Sequence, residues 1–129
     1  MGRMRVLLAD DHPRILSRLT DLLEPECKVI AVVGDGQSLI ETAESLQPDL
    51  IITDISMPIL SGIEAAKTIL RCTPQTKIIF LTVHTDPDYV REALELGAVG
   101  YVFKSRLVSD LQPAIDEVLN DRTYVSSSP

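Results

Sequence analysis

The chain contains no tryptophan, and aromatic residues make up only 4% of it. Aliphatic side chains must therefore fill any core. Its two cysteines, Cys27 and Cys72, show neither metal-binding nor redox spacing. Each stands where an apolar residue would fit, so both are expected to be buried free thiols. Basic residues are the minority, 12 Lys and Arg against 19 Asp and Glu, for a formal net charge of −7. That balance argues against this segment wrapping nucleic acid by itself, since phosphate binding needs a basic surface. It leaves open a separate DNA-binding module in a longer protein. No hydrophobic run approaches a transmembrane length. The start lacks the apolar segment and small-residue cleavage site of a secretory signal. The opening Met1-Gly2 does not continue as a myristoylation motif, because Val6 stands where Ser or Thr is required. A cytoplasmic location without membrane attachment is the expectation.

What the chain has is 129 residues with 45% hydrophobic content, enough for one compact domain. Short apolar runs alternate with amphipathic stretches, the pattern of repeated βα units. Residues 5–9, 29–33, 50–53, 78–83 and 99–103 are β-branched and continuously apolar, as strands of a parallel sheet covered on both faces should be. Between them lie five helical patterns. Pro13 opens the first, whose Ile15, Leu16, Leu19, Leu22 and Leu23 share a face. The second spans 36–46, with Leu39, Ile40, Ala43 and Leu46 inward. Ser61 and Glu64 form a capping-box pattern for the third, which ends before Pro74. Asp86-Pro87 starts the fourth and Gly97 stops it. The fifth covers 109–120, where Pro113 is awkward unless it lies near the first turn or kinks the helix. The result is a doubly wound α/β domain, a five-stranded parallel sheet with five helices. By analogy with flavodoxin and CheY, its strand order is taken as 2-1-3-4-5.

In such sheets ligands gather beyond the carboxyl ends of the strands. Asp10 and Asp11 follow strand one, Asp54 follows strand three, Thr82 ends strand four and Lys104 follows strand five. Three neighbouring carboxylates repel one another more than Lys104 alone can offset. A hard divalent cation such as Mg²⁺ resolves this, because it takes oxygen ligands and keeps its waters. A carboxylate can then attack phosphorus to form an acyl phosphate. Mg²⁺, the Lys104 ammonium and the Thr82 hydroxyl would stabilise the charge on the transferring group. Asp54, central in the row, is the candidate nucleophile. Taken singly, each residue has an ordinary reading: a helix-start charge pair, a turn residue before Met57-Pro58, a strand threonine, a surface lysine. Their joint placement at one sheet edge carries the argument.

The stretches LLADDHP at 7–13, TDISMPILSGIEA at 53–65, LTVH at 81–84 and GAVGYVFK at 97–104 closely resemble the response-regulator receiver family. The resemblance runs from about Arg5 to Tyr124. It implies a receiver over residues 1–124, with 125–129 beginning a linker or disordered tail. It implies that Asp54 is the phosphoacceptor. Asp11, Asp54 and the backbone carbonyl of Ser56 would bind Mg²⁺, with Asp10 acting chiefly through water. Thr82 and Lys104 would contact the phosphoryl oxygens, and Tyr101 would be the switch aromatic; by itself Tyr101 reads as a half-buried strand residue. The donor would be a phosphohistidine on a sensor kinase or a small acyl phosphate. The domain would assist its own phosphorylation and dephosphorylation, as a switch and not as a metabolic enzyme. ADDHP, GAVGYVFK and the ending DRTYVS are similar to receivers of LuxR-type (NarL/FixJ-like) transcriptional regulators, which read DNA through a C-terminal helix-turn-helix domain. That implies an isolated receiver from a longer regulator, forming a homodimer on phosphorylation.

Two departures and one surface complete the reading. Ser105 follows Lys104 where many receivers have proline. Ser56 and His84 occupy positions that in the family shape water access to the phosphate, although a lone histidine at a loop edge is expected to be merely solvated. Arg14, Ile15 and Arg18 on the first helix are candidate kinase contacts. A flavin-binding protein of this architecture would need a Gly-, Ser- or Thr-rich loop after strand one. Asp10-Asp11-His12-Pro13 stands there and would repel a phosphate. A phosphatase with an aspartyl nucleophile would place that residue after strand one. A receiver serving as a phosphorylation-independent binding module would have lost an acidic, Thr or Lys position, and none is missing.

Overall fold

The computed structural model describes residues 3–127; Met1, Gly2, Ser128 and Pro129, with the lipidation and tail readings that fall on them, lie outside that range. The elements run β1 (Met4–Ala9), α1 (Pro13–Leu23), β2 (Cys27–Val33), α2 (Gly36–Leu46), β3 (Leu50–Thr53), α3 (Gly62–Cys72), β4 (Lys77–Thr82), α4 (Pro87–Leu94), β5 (Gly100–Phe103), α5 (Leu107–Leu119) and β6 (Tyr124–Val125). A 3₁₀ turn over Lys104–Arg106 joins β5 to α5. The strands form one parallel sheet in the order β2-β1-β3-β4-β5-β6. The expected order 2-1-3-4-5 is present, extended by one strand. With two residues, β6 is too short to leave a hydrophobic period in the sequence.

Strand residues alternate between two cores. Leu7, Ile51, Phe80 and Tyr101 point to the face covered by α2, α3 and α4. Val6, Leu8, Ile52, Leu81 and Val102 point to the face covered by α1 and α5. The four inner strands β1, β3, β4 and β5 are thus covered on both sides. The edge strand β2 is not, and Val32 is 48% exposed there.

The helix starts follow the side chains that cap them. Asp35 accepts the Ser38 N–H at 2.8 Å, Ser61 accepts the Glu64 N–H at 3.2 Å, and Asp86 accepts the Asp88 N–H at 2.8 Å. Such caps satisfy N–H groups that the helix itself leaves free. Gly97, with φ 120°, takes the left-handed turn after α4 that other residues resist.

Several expectations need correction. Cys27 is buried, but Cys72, the last residue of α3, is exposed. Leu22 sits at the rim of the α1 stripe and is exposed, while Leu19 and Leu23 carry the packing. Val83 lies past the end of β4 and is exposed. The helix α5 begins at Leu107, two residues early, because the 3₁₀ turn feeds straight into it. Pro113 therefore falls in the second turn, and the helix continues through it. Ser126, placed by sequence in the tail, is buried, and its N–H bonds to the Tyr101 carbonyl at 2.9 Å.

Candidate functional site

The register of the sheet builds the site. Ala9 pairs with Thr53 and Thr53 with Phe80, so the residues that follow, Asp10 and Asp54, leave the sheet side by side. The Asp54 N–H still bonds to the Ala9 carbonyl (2.8 Å), and the Asp10 N–H to the Val33 carbonyl (3.0 Å). Thr82 pairs with Phe103, which delivers Lys104 to the same edge.

Asp10 and Asp54 are buried carboxylates. Asp54 Oδ1 accepts the Ile55 N–H at 2.7 Å, and Oδ2 accepts from the Lys104 ammonium at 2.9 Å. Lys104 Nζ also lies 3.0 Å from Asp10 Oδ2 and 3.2 Å from His12 Nδ1. Burial would push the Lys104 ammonium down. The hydrogen bond to Asp54 and the adjacent charges of Asp54 and Asp10 outweigh it and hold it above the ordinary lysine range. The Asp10 contact is an ion pair without hydrogen-bond geometry, so Asp10 Oδ2 remains a buried acceptor lacking a hydrogen-bond donor. A buried acceptor in that condition fits a cation position.

Asp11, half exposed, meets His12 Nδ1 at 3.2 Å, and the same nitrogen lies 2.9 Å from Asp10 Oδ1. One ligand atom from each of Asp10, Asp11, His12 and Asp54 falls within 4.8 Å of all the others, an acidic pocket able to hold a metal ion. His12 had no assigned role at the sequence level. Its only signal was adjacency to the acidic pair.

A second group of residues lies around His84. Thr82 is fully buried, and its Oγ1 accepts the His84 N–H at 3.2 Å. Tyr101 is fully buried, not half-buried, and its hydroxyl donates to the His84 carbonyl at 2.8 Å. Its ring meets Phe103 edge to face with centroids 6.0 Å apart. Burial, with the nearby Tyr89, Asp54 and Asp86, pushes the Tyr101 phenol up, so it stays a donor. The His84 ring bonds to Ser56 Oγ through Nε2 and stacks on Tyr89 with centroids 4.5 Å apart. The expectation of a merely solvated histidine is thus corrected. Its partners come from the loops before α3 and from α4, which sequence adjacency cannot show.

Gly62 completes the frame. A Cβ on it would lie 1.9 Å from the Asp54 carbonyl oxygen, so α3 starts hard against the Asp54 backbone. A groove of about 540 Å³ lies elsewhere, lined by Thr85, Pro87, Val90, Arg91, Leu94 and Glu95. None of Asp10, Asp11 and Asp54 lines it. No helix among the described residues is long and apolar enough to cross a membrane.

The structure therefore brings Asp10, Asp11, Asp54 and Lys104 into one pocket. It turns Thr82, Ser56 and Tyr101 toward His84 beside that pocket. Arg14 and Arg18 are exposed on α1, while Ile15 is partly buried against the core.

The chain is similar to known proteins in both sequence and fold. The transcriptional regulatory protein YxjL of Bacillus subtilis is 40% identical over 115 residues, covering 88% of this chain and 53% of that protein. The crystal structure of a LuxR-family two-component response regulator from Aurantimonas superposes with a TM-score of 0.87 at 30% identity, covering 98% of this chain and 91% of that one. A structure of two RcsB dimers bound to two parallel DNAs matches with a TM-score of 0.86 at 30% identity, covering 98% of this chain and 65% of that one. The chain spans about half the length of the curated relatives it matches. The family model of the response regulator receiver domain matches residues 6–116, and the chain belongs to that family, the receivers of two-component response regulators.

Proposed function

We infer that Asp54 accepts a phosphoryl group from a phosphohistidine on a sensor kinase, and that this switches the domain. The observation that carries the reading is the Lys104 ammonium wedged between two buried carboxylates, Asp54 and Asp10, at the carboxyl edge of the sheet. An Asp54 carboxylate oxygen forms the new bond to phosphorus as the phosphorus–nitrogen bond of the donor breaks, and the imidazole leaves with a proton. Lys104 sits where it can follow the charge onto the phosphoryl oxygens, and burial strengthens that attraction. The Thr82 hydroxyl supplies a second contact.

Asp11, Asp54 and the Ser56 backbone carbonyl would hold Mg²⁺, with Asp10 acting through water; the donorless Asp10 Oδ2 fits that role. When bound, the ion neutralises carboxylate charge and orients the phosphoryl oxygens. The domain thereby assists its own phosphorylation and dephosphorylation while remaining a regulatory device.

The switch follows from what Thr82 does at rest. Its hydroxyl holds the His84 N–H only loosely, at 3.2 Å, so a phosphoryl oxygen with more charge can draw it away. The Tyr101 hydroxyl is tied to the His84 carbonyl and would move with it. The surface of α4, β5 and α5 changes as a result. Arg14, Ile15 and Arg18 would meet the kinase beside the pocket. The receiver unit, assigned from the first residues through Tyr124, would pass its state along the following chain to a C-terminal helix-turn-helix domain. It would pair with a second copy on phosphorylation to regulate transcription in the cytoplasm.

The test is incubation with a small acyl phosphate and Mg²⁺, read by intact mass. A one-phosphate increase that vanishes in Asp54→Ala is expected. No uptake from either that donor or a sensor kinase would overturn the reading.

A further inference from the structure

Proline would fix φ in the residue after Lys104, but this chain has Ser105, which carries no such ring. Restraints on the backbone around Lys104 come from elsewhere. One is visible in a buried carboxylate that phosphoryl transfer does not use. Asp110, in the first turn of α5, is only 3% exposed. Its Oδ2 accepts the Ser126 hydroxyl at 2.6 Å and the Arg106 Nε–H at 3.2 Å. Its Oδ1 accepts the Ser109 hydroxyl at 2.8 Å. Ser126 Oγ in turn accepts the Phe103 N–H at 3.1 Å.

These bonds grip the chain on both sides of Lys104. Phe103 precedes it and is held by Ser126. Arg106 ends the 3₁₀ turn that Lys104 begins, and is held by Asp110. Burial pushes the Asp110 carboxyl up, but hydrogen bonds from Ser126, Ser109 and Arg106 outweigh it and hold it below the ordinary aspartate range. A buried carboxylate on α5 with donors from the 3₁₀ turn and from the residue after β6 ties both segments to the helix.

We propose that Asp110 and Ser126 are positioning residues that hold Lys104 over Asp54 by clasping Phe103 and Arg106. The proposal rests on the reading that Lys104 serves phosphoryl transfer at Asp54. Neither Asp110 nor Ser126 touches the transferring group; each acts through the backbone that carries Lys104. The same clasp fixes β6, because the Ser126 N–H bonds to Tyr101 while its hydroxyl bonds to Asp110.

The test uses Asp110→Asn and Ser126→Ala, with circular dichroism to establish that each folds; Ser126→Ala alone suffices if the first does not. The ammonium resonance of Lys104 and amide exchange at Phe103 and Ser126 are followed by NMR. Expected is a Lys104 signal averaged toward that of a free lysine and exchange at both amides faster by about tenfold. Phosphoryl uptake at saturating acyl phosphate and Mg²⁺ falls by roughly tenfold, while the half-saturating Mg²⁺ concentration stays within about twofold. A general loss of structure would move both. An unchanged Lys104 resonance in the folded variants, or unchanged uptake, overturns the proposal. If the wild type takes up no phosphoryl group yet Lys104 is released in the variants, the phosphoacceptor reading falls and the clasp stands.

Discussion

Replacing Lys104 with Met removes a charge while keeping most of the side chain's length and apolar stem. In the native chain Lys104 Nζ lies 2.9 Å from Asp54 Oδ2 and 3.0 Å from Asp10 Oδ2, and these side chains are 5% and 2% exposed. At such distances each attraction is about 5 kcal/mol for an effective dielectric constant near 20. Burying the ammonium, 9% exposed, cancels much of that gain. Breaking a buried pair by removing one partner costs about 3–5 kcal/mol, because the remaining charge has no counterion. The pocket opens to water on one side through Asp11 and His12, both exposed, which favours the lower figure. A loss of about 3 kcal/mol corresponds to a melting temperature lower by on the order of 10 °C in a domain of this size. Urea unfolding in EDTA and in millimolar Mg²⁺ measures it. A cation between the carboxylates replaces the lost charge, so Mg²⁺ should stabilise the variant more than the wild type. Because the folded Lys104 is held above its unfolded range, the wild-type contribution is fully present below about pH 10 and lost as pH rises through the folded value. Equal midpoints in EDTA would refute the ion-pair reasoning. An equal response to Mg²⁺ would refute the cation site.

Three further outcomes are expected. Gly62→Ala drives a methyl into the Asp54 backbone, which cannot give way as a flexible side chain would, and should cost about 2 kcal/mol or more in urea unfolding; wild-type stability with normal phosphoryl uptake would contradict the close approach. Ser56→Ala frees the His84 ring beside the pocket, so water should reach the acyl phosphate more easily and its lifetime, followed by intact mass after donor removal, should shorten severalfold; an unaltered lifetime would show that the contact does not shield the site. The Asp110 carboxyl is held low in the folded chain, so its contribution is present above about pH 4 and lost as pH falls through the folded value. Asp110→Asn should therefore lose less stability than the wild type between neutral and strongly acidic pH, and parallel acid limbs in urea midpoints would argue against it.

The sequence carried the four inner strands clearly, because burial on both faces requires unbroken apolar runs such as those in β3 and β4. It also carried the pocket: Asp10, Asp54 and Lys104 stand one step beyond strands whose order comes by analogy with flavodoxin and CheY. Edges were less legible. The strand β6 leaves too short a trace, and its burial depends on Ser126, whose Oγ finds partners 16 and 23 residues away. Cys72 and Leu22 look like core residues by type, but helix rotation sets them at the margin. The His84 environment was hidden for a related reason. Its ring is held by Ser56, 28 residues earlier, and by Tyr89 on the next helix. A polar contact across that separation has no period to reveal it.

The short strand β6 also changes how the sheet ends. Without it, β5 would present the backbone edge of the strand carrying Tyr101, a template on which another chain could add a strand. With it, Gly100 and Tyr101 are paired on their outer side, and the new margin is only two residues long. At the opposite margin, β2 presents the charged Lys28. The β6 end therefore offers little backbone for a ladder with another chain, whereas β2 keeps a seven-residue edge guarded by a single charge, so the two margins of the sheet are not equivalent.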